Sequence, residues 1–201
     1  MVVSIPGRAH PVEEHRLEDI LELTKYQVKE GSDYALKKRD STSPKISNAA
    51  LRSLYHPKYS KETIHSLSIV NENVINYELL AELLEQISLN QGEGAILVFC
   101  PGFQEIQKTI EAMNKKEYFQ SSKVLIYPLH SSLSTAEQTA IFQVPPQGVR
   151  KVVVSTSKFQ LIGLPLICQQ DFIFLEQSRL TQRYCTHTFN VLSRYCRNVD
   201  Y

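Results

Sequence analysis

The feature that most constrains the fold is the continuous apolar run from Ala95 to Phe99. A run without alternating polar residues is typical of a strand buried on both faces of a parallel sheet. It ends at Cys100-Pro101-Gly102, where proline and glycine predict a turn. Ile106, Ile110 and Met113 then recur at helical spacing. The sequence therefore predicts a buried strand followed by a helix that packs on the sheet.

The same alternation continues along the chain. Lys123 to Tyr127 predicts a second strand, and Pro128 to Leu133 predicts a loop. Ser134 and Glu137 form a capping-box pattern that starts a helix ending before Pro145-Pro146. Val149 to Thr156 predicts a third strand. This order of elements indicates an α/β fold with a parallel sheet, in which ligands meet the loops at the carboxyl ends of the strands.

The part of the chain before this sheet is predicted to be mostly helical. Helical spacing covers Arg16 to Lys25, Ser60 to Ile69 and Asn76 to Leu89. Residues 30–59 lose that periodicity and are rich in polar and charged side chains. We predict that they form an irregular, mobile insertion.

Composition narrows the classes of function. The 201 residues contain 22 basic and 21 acidic side chains, so the net charge of +1 is not that of a broadly basic nucleic-acid-binding protein. No apolar run is long enough to span a membrane, and the N-terminus lacks the pattern of a signal peptide. We expect a cytoplasmic or nuclear location. The four cysteines and six histidines show no metal-ligand spacing, which predicts ordinary thiols and no metal site.

Several blocks of the sequence, in order, resemble the second RecA-like domain of DEAH/DExH-box RNA helicases. Residues 96–102 resemble motif IV of that family, and residues 128–134 resemble its next block. Residues 145–156 lead into motif V. Upstream, Ile5 to Val12 and Leu17 to Ile20 are similar to the link between the two RecA-like domains. The resemblance covers residues 4–156.

The resemblance implies an incomplete RecA-like parallel sheet flanked by helices. It implies an inter-RecA linker and helix over 1–29, the insertion over 30–59, a partial helicase domain over 60–156 and a non-native tail over 157–201. The family grips the RNA backbone with amides and hydroxyls, which contact phosphates without selecting bases. The residues that the resemblance places on the RNA side are Pro101, Gly102, His130, Ser131, Ser132 and Thr156.

Structural explanations for these residues stay open at this point. Gly102 could serve only to shape a turn, and Ser131 could serve only to precede a helix cap. We expect His130 to orient its loop rather than to perform acid–base chemistry.

The chain also departs from the family pattern. It contains no GxxxxGK[ST] phosphate loop, no Asp-Glu-x-His box and no motif VI. In the family these elements hold ATP and Mg²⁺ and complete the ATPase. We therefore expect this chain alone to bind neither ATP nor Mg²⁺. The expected partners are RNA and a first RecA-like domain.

A second departure lies inside motif V. After Thr156 the family continues Asn-Ile-Ala-Glu-Thr-Ser-Ile-Thr, whereas this chain has Ser157-Lys158-Phe159-Gln160. Ser157 to Phe159 can be encoded by a splice-donor sequence, and the last residues can encode the missing motif in another frame. We therefore hypothesise that residues 157–194 translate a retained intron and that 195–201 are an exon in the wrong frame. Phe172 to Leu175 is apolar enough to form a strand or a helix, but such a tail is expected to be poorly ordered.

The leading hypothesis is a fragment of an ATP-dependent RNA helicase that contributes RNA contacts but has no ATPase activity alone. The alternative is a non-catalytic short isoform that binds RNA or protein. A nucleotide-binding enzyme of another doubly wound class is a third hypothesis, and the absence of GxGxxG argues against it. The fourth is a nonproductive product that does not accumulate.

Overall fold

A computed structural model of the chain describes residues 15–37, 48–55, 57–90, 94–130, 141, 143–156, 172–177 and 189–194. Its helices are α1 (Leu17–Thr24), α2 (Asn48–Tyr55), α3 (Lys61–Ile69), α4 (Tyr77–Asn90), α5 (Phe103–Asn114) and α6 (Glu117–Gln120). Its strands are β1 (Ala95–Cys100), β2 (Val124–Leu129), β3 (Arg150–Thr156), β4 (Phe172–Gln177) and β5 (Phe189–Arg194). No helix among the described residues is both long enough and apolar enough to cross a bilayer.

The strands form one sheet of five in the order β2-β3-β1-β4-β5. Strand β1 lies at its centre and pairs in parallel with both β3 and β4. Strand β2 pairs in parallel with β3, and β5 runs antiparallel to β4. The three predicted strands and their parallel arrangement are therefore confirmed.

Strand β1 is buried on both faces, as its uninterrupted apolar run predicts. Ile96 and Val98 belong to a large core that also includes buried side chains of α1, α4 and α5. Leu97 and Phe99 belong to a second core on the opposite face, which includes Ile141. Because alternate residues of a strand point to opposite faces, one strand contributes to both cores.

Polar caps fix the starts of two predicted helices. The Ser60 hydroxyl accepts a hydrogen bond from the Thr63 amide at the N-terminus of α3, with a distance of 3.3 Å. The Asn76 side-chain oxygen accepts one from the Leu79 amide at the start of α4, at 3.0 Å. Each cap gives a partner to an amide that has none within the helix, so both helices begin where the sequence predicts.

Two carboxylates of α1 attach that helix to the N-terminal end of α3. Glu22 accepts hydrogen bonds from the amide and the hydroxyl of Ser60, each at 2.8 Å. Asp19 accepts a hydrogen bond from the Tyr59 hydroxyl at 2.6 Å. The helix predicted within residues 1–29 therefore packs against the start of α3.

The structure differs from the predicted irregular insertion at 30–59. Ala35 forms an antiparallel bridge with Val70, and residues 48–55 form helix α2. Leu51 and Tyr59 are buried in a small cluster with α3. Leu51 and Tyr55 stand one helical turn apart, and this short apolar stripe is easily missed between charged segments. Residues 38–47, where polar residues are most frequent, lie outside the described part.

Strand β2 continues beyond the predicted start of the loop at Pro128. Pro128 pairs with Val154 and Leu129 with Ser155. Proline usually ends a strand because it has no amide to donate, but an edge strand tolerates this loss. Since β2 is an outermost strand of the sheet, Pro128 fits within this strand.

The tail also differs from the expected lack of order at two segments. Residues 172–177 form β4 against β1, and residues 189–194 form β5 against β4. Without β4, the side of β1 that faces away from β3 would present unpaired backbone groups, and an apolar segment can satisfy them by strand pairing. The prediction of a strand or helix near Phe172 is thus confirmed, whereas the remainder of the tail lies outside the described residues.

Candidate nucleic-acid interface

The carboxyl edge of the parallel strands collects most of the predicted site residues. In the pairing of β1 with β3, Cys100 lies opposite Thr156. Pro101 and Gly102 follow β1 directly, and His130 follows β2. The structure therefore brings four of the six predicted residues to one edge. The other two, Ser131 and Ser132, lie outside the described residues.

A ring contact links the first residue of α5 to the residue that follows β2 at this edge. The Phe103 and His130 rings lie with their centroids 4.6 Å apart and their planes at 73°, an edge-to-face arrangement. Strand β3 lies between β1 and β2, so this contact joins segments from both sides of the strand that ends at Thr156. Phe103 was not among the site residues predicted from the sequence. The available signal was an aromatic residue at the first position of a helix, directly after Pro-Gly.

The backbone of Gly102 does not need glycine for its conformation. Its φ of −158° and ψ of −178° are those of an extended chain, which any residue adopts. A Cβ atom at Gly102 would lie 2.8 Å from the Glu105 carboxylate oxygen Oε2, at the far end of a flexible side chain. A turn that only glycine can form is therefore not the reason for glycine at this position.

Helix α5 begins at the same edge, and its N-terminus already has a carboxylate close by. The first amides of a helix have no intrahelical partner and attract negative charge. The Glu105 carboxylate lies near Gly102, which is the N-cap of α5. A phosphate that approached these amides would compete with Glu105.

Cys100, at the end of β1, is a buried thiol. Its sulfur lies 3.6 Å from the Thr109 hydroxyl, and the residue is 4% exposed. Burial raises the pKa of Cys100 to about 11, since removal from water disfavours the thiolate. This cysteine is therefore a packing residue and not a nucleophile. The other three cysteines lie outside the described residues.

The two basic side chains of β3 lie at its amino end. Arg150 is the first residue of β3 and donates a hydrogen bond to the Gly94 carbonyl at 2.8 Å, at the amino edge. Lys151 is buried and donates to the carbonyls of Ile141 and Gln143, each at 2.9 Å. Burial lowers the pKa of Lys151 because it disfavours the ammonium form. Among the described residues, RNA contact at the carboxyl edge would therefore depend on donors other than Arg150 and Lys151.

The last feature of the site concerns groups that could hold a metal ion or a nucleotide phosphate. The sequence contains no phosphate loop and no Asp-Glu-x-His box. Within the described ranges, no three His, Cys, Asp or Glu side chains are grouped so that they could hold a metal ion.

Comparisons with known proteins show clear relatives. Residues 76–161 match the family model of the helicase conserved C-terminal domain. The chain is 33% identical over 181 residues to ATP-dependent RNA helicase DHX29 from Homo sapiens, with 78% of this chain and 13% of that protein covered. It is 33% identical over 171 residues to ATP-dependent DNA/RNA helicase DHX36 from Mus musculus, with 78% and 17% covered. The crystal structure of the E. coli DExH-box NTPase HrpB matches with a TM-score of 0.39 and 25% identity, over 60% of this chain and 15% of that one. The chain thus spans less than a fifth of the length of these relatives.

Proposed function

Because the chain carries a helicase C-terminal domain of the DEAH/DExH-box RNA helicase family, as the sequence resemblance predicted, we propose that it supplies the RNA-backbone contacts of a second RecA-like domain. The proposed contact surface is the carboxyl edge, comprising Pro101, Gly102, His130 and Thr156, together with Ser131 and Ser132 of the following loop.

The observation that carries this proposal is the position of Thr156 beside Cys100, with the Phe103–His130 contact beside it. The Thr156 hydroxyl, the first amides of α5 and His130 lie along one edge. Such groups bind phosphates and sugars without selecting a base. Gly102 has no side chain at the N-cap of α5, so a ligand could approach the backbone closely there.

The chain alone is proposed to bind RNA without hydrolysing ATP. In the parent family a first RecA-like domain would complete the nucleotide site, and we propose such a domain as the protein partner of this chain. Stepping along RNA needs ATP hydrolysis between two such domains, so directional movement is not proposed for this chain by itself.

The experiment measures binding of a fluorescein-labelled single-stranded RNA to the full 201-residue chain by anisotropy between 50 and about 300 mM salt. Neutral donors release few counterions, so the slope of log K against log salt should be smaller than about 2 in magnitude. Thr156→Val removes a hydroxyl at the carboxyl edge and should weaken binding about fivefold, or about 1 kcal/mol. ATP should be neither hydrolysed nor able to change the affinity.

The matched control is Ser122→Ala, which removes an exposed hydroxyl next to β2 at the opposite edge. It should leave the affinity unchanged. Equal losses for the two variants, or no RNA binding by the unaltered chain, would contradict the proposed function. Circular dichroism of each variant checks that the fold is retained.

A further inference from the structure

Phe103 stands out among the exposed apolar side chains. The large apolar residues exposed in the described part of the chain are Leu23, Leu54, Val74, Leu89, Phe103 and Val144. Phe103 is the aromatic member of this group, with 47% of its surface exposed, and it lies at the carboxyl edge.

The Phe103 ring is also held in place. It is the first residue of α5, and its ring contacts that of His130 at 4.6 Å. A ring that is already ordered loses little conformational freedom when a ligand covers it. Exposure together with order is the property that a stacking surface requires.

The charge of this edge points to the class of ligand. Among the residues of this edge that the structure describes, Pro101 to Glu105, His130 and Thr156 include no lysine or arginine, so these residues offer phosphates little electrostatic attraction. Base–aromatic stacking adds affinity without charge, and it accepts any base because every base has a π-face. We propose that Phe103, positioned by His130, stacks an unpaired nucleobase of the RNA whose backbone lies along the carboxyl edge. This inference rests on the proposed function and adds a preference for single-stranded RNA with accessible bases.

The test compares two strands of equal length, an oligoadenylate and the same strand with abasic sites throughout, each bound to the full chain. Phe103→Leu keeps an apolar side chain but removes the ring, and it should weaken oligoadenylate binding about tenfold. It should leave abasic-strand binding unchanged. Phe103→Tyr keeps the ring and should bind oligoadenylate as the unaltered chain does. Leu89→Ala, at an exposed apolar residue of α4, is the control for general surface effects.

A second readout reports stacking directly. A 2-aminopurine in the oligoadenylate should lose fluorescence on binding to the unaltered chain and to Phe103→Tyr, but not on binding to Phe103→Leu. If both strands bind the unaltered chain equally, or if Phe103→Leu weakens both equally, the stacking inference is wrong while RNA contact stands. If neither strand binds, the proposed function fails and the inference fails with it.

Discussion

Replacing Glu22 by glutamine tests how firmly α1 is attached to the rest of the chain. The Glu22 carboxylate accepts two hydrogen bonds from Ser60, each at 2.8 Å, and pairs with Lys25. The Lys25 contact is the largest cause, and the Ser60 amide the next, of a lowered pKa for Glu22, from 4.5 to about 2. The glutamine variant removes the charge and weakens these contacts at the N-terminus of α3.

The magnitude follows from that pKa shift. A shift of this size corresponds to about 3 kcal/mol of preference for the charged form in the folded state. Lys25 is 69% exposed, so solvent screens the part of this free energy that comes from Lys25. The part that comes from the Ser60 hydrogen bonds is about 1–2 kcal/mol. For a chain of this size, each kcal/mol corresponds to about 2–4 °C, so the melting temperature should fall by about 2–8 °C.

The pH dependence has a defined sign. Because the folded-state pKa of Glu22 is lower than 4.5, the stabilisation is fully present above pH 4.5 and is lost as the pH falls through about 2. Thermal unfolding followed by circular dichroism at pH 7 and at about pH 2 measures this. Glu18→Gln removes the same charge from the same helix and leaves Ser60 in place, so it should cost much less. Equal losses for the two variants, or a Glu22 effect that persists at pH 2, would refute the reasoning.

Three further predictions concern the rest of the chain. Lys151→Met removes two hydrogen bonds to the carbonyls of Ile141 and Gln143, and urea unfolding should show a loss of about 2 kcal/mol. Burial lowers the pKa of Lys151 below 10.5. The free energy of unfolding of the unaltered chain, relative to this variant, should therefore rise as the pH approaches 10.5. A fall would mean that the carbonyl hydrogen bonds affect the pKa of Lys151 more than burial does. Glu105→Gln should raise RNA affinity about threefold, since it removes a carboxylate that competes with phosphate at the N-terminus of α5, and unchanged affinity in the anisotropy assay would contradict this. We also propose that residues 157–194 translate a retained intron; transcript sequencing should find an AGT codon for Ser157, and a TCN codon would exclude the proposal.

Much of the sheet could be predicted because local patterns and the fold agree. The run from Ala95 to Phe99 predicted a strand buried on both faces, and every residue of β1 is buried. Ser60 predicted the start of α3, and its hydroxyl accepts a hydrogen bond from Thr63. In both cases the physical cause lies within a few residues of the chain, where sequence patterns are informative.

The features that could not be predicted depend on tertiary position. Pro128 ends a strand by local rules, but it is tolerated because β2 lies at the sheet edge, which the sequence does not reveal. Leu51 is buried because it packs against α3. Both lie far along the chain from the sheet.

The sequence predicted which loops form the candidate site, but not how their side chains are arranged. Family motifs identified Pro101, Gly102, His130 and Thr156. The contact between Phe103 and His130 joins residues on different elements, and no local pattern indicates it. The proposal that this edge stacks bases, in addition to binding the RNA backbone, depends on this contact.

The position of bound RNA on the chain decides whether the carboxyl edge is the contact surface. Photo-crosslinking of single-stranded RNA to the full chain, followed by mass spectrometry, identifies the peptides in contact. The carboxyl-edge account predicts crosslinks in peptides that contain Pro101 to Phe103, His130 and Thr156. A purely electrostatic contact would instead favour the amino edge, where Lys123 and Arg150 lie. Crosslinks confined to the amino edge would contradict the account.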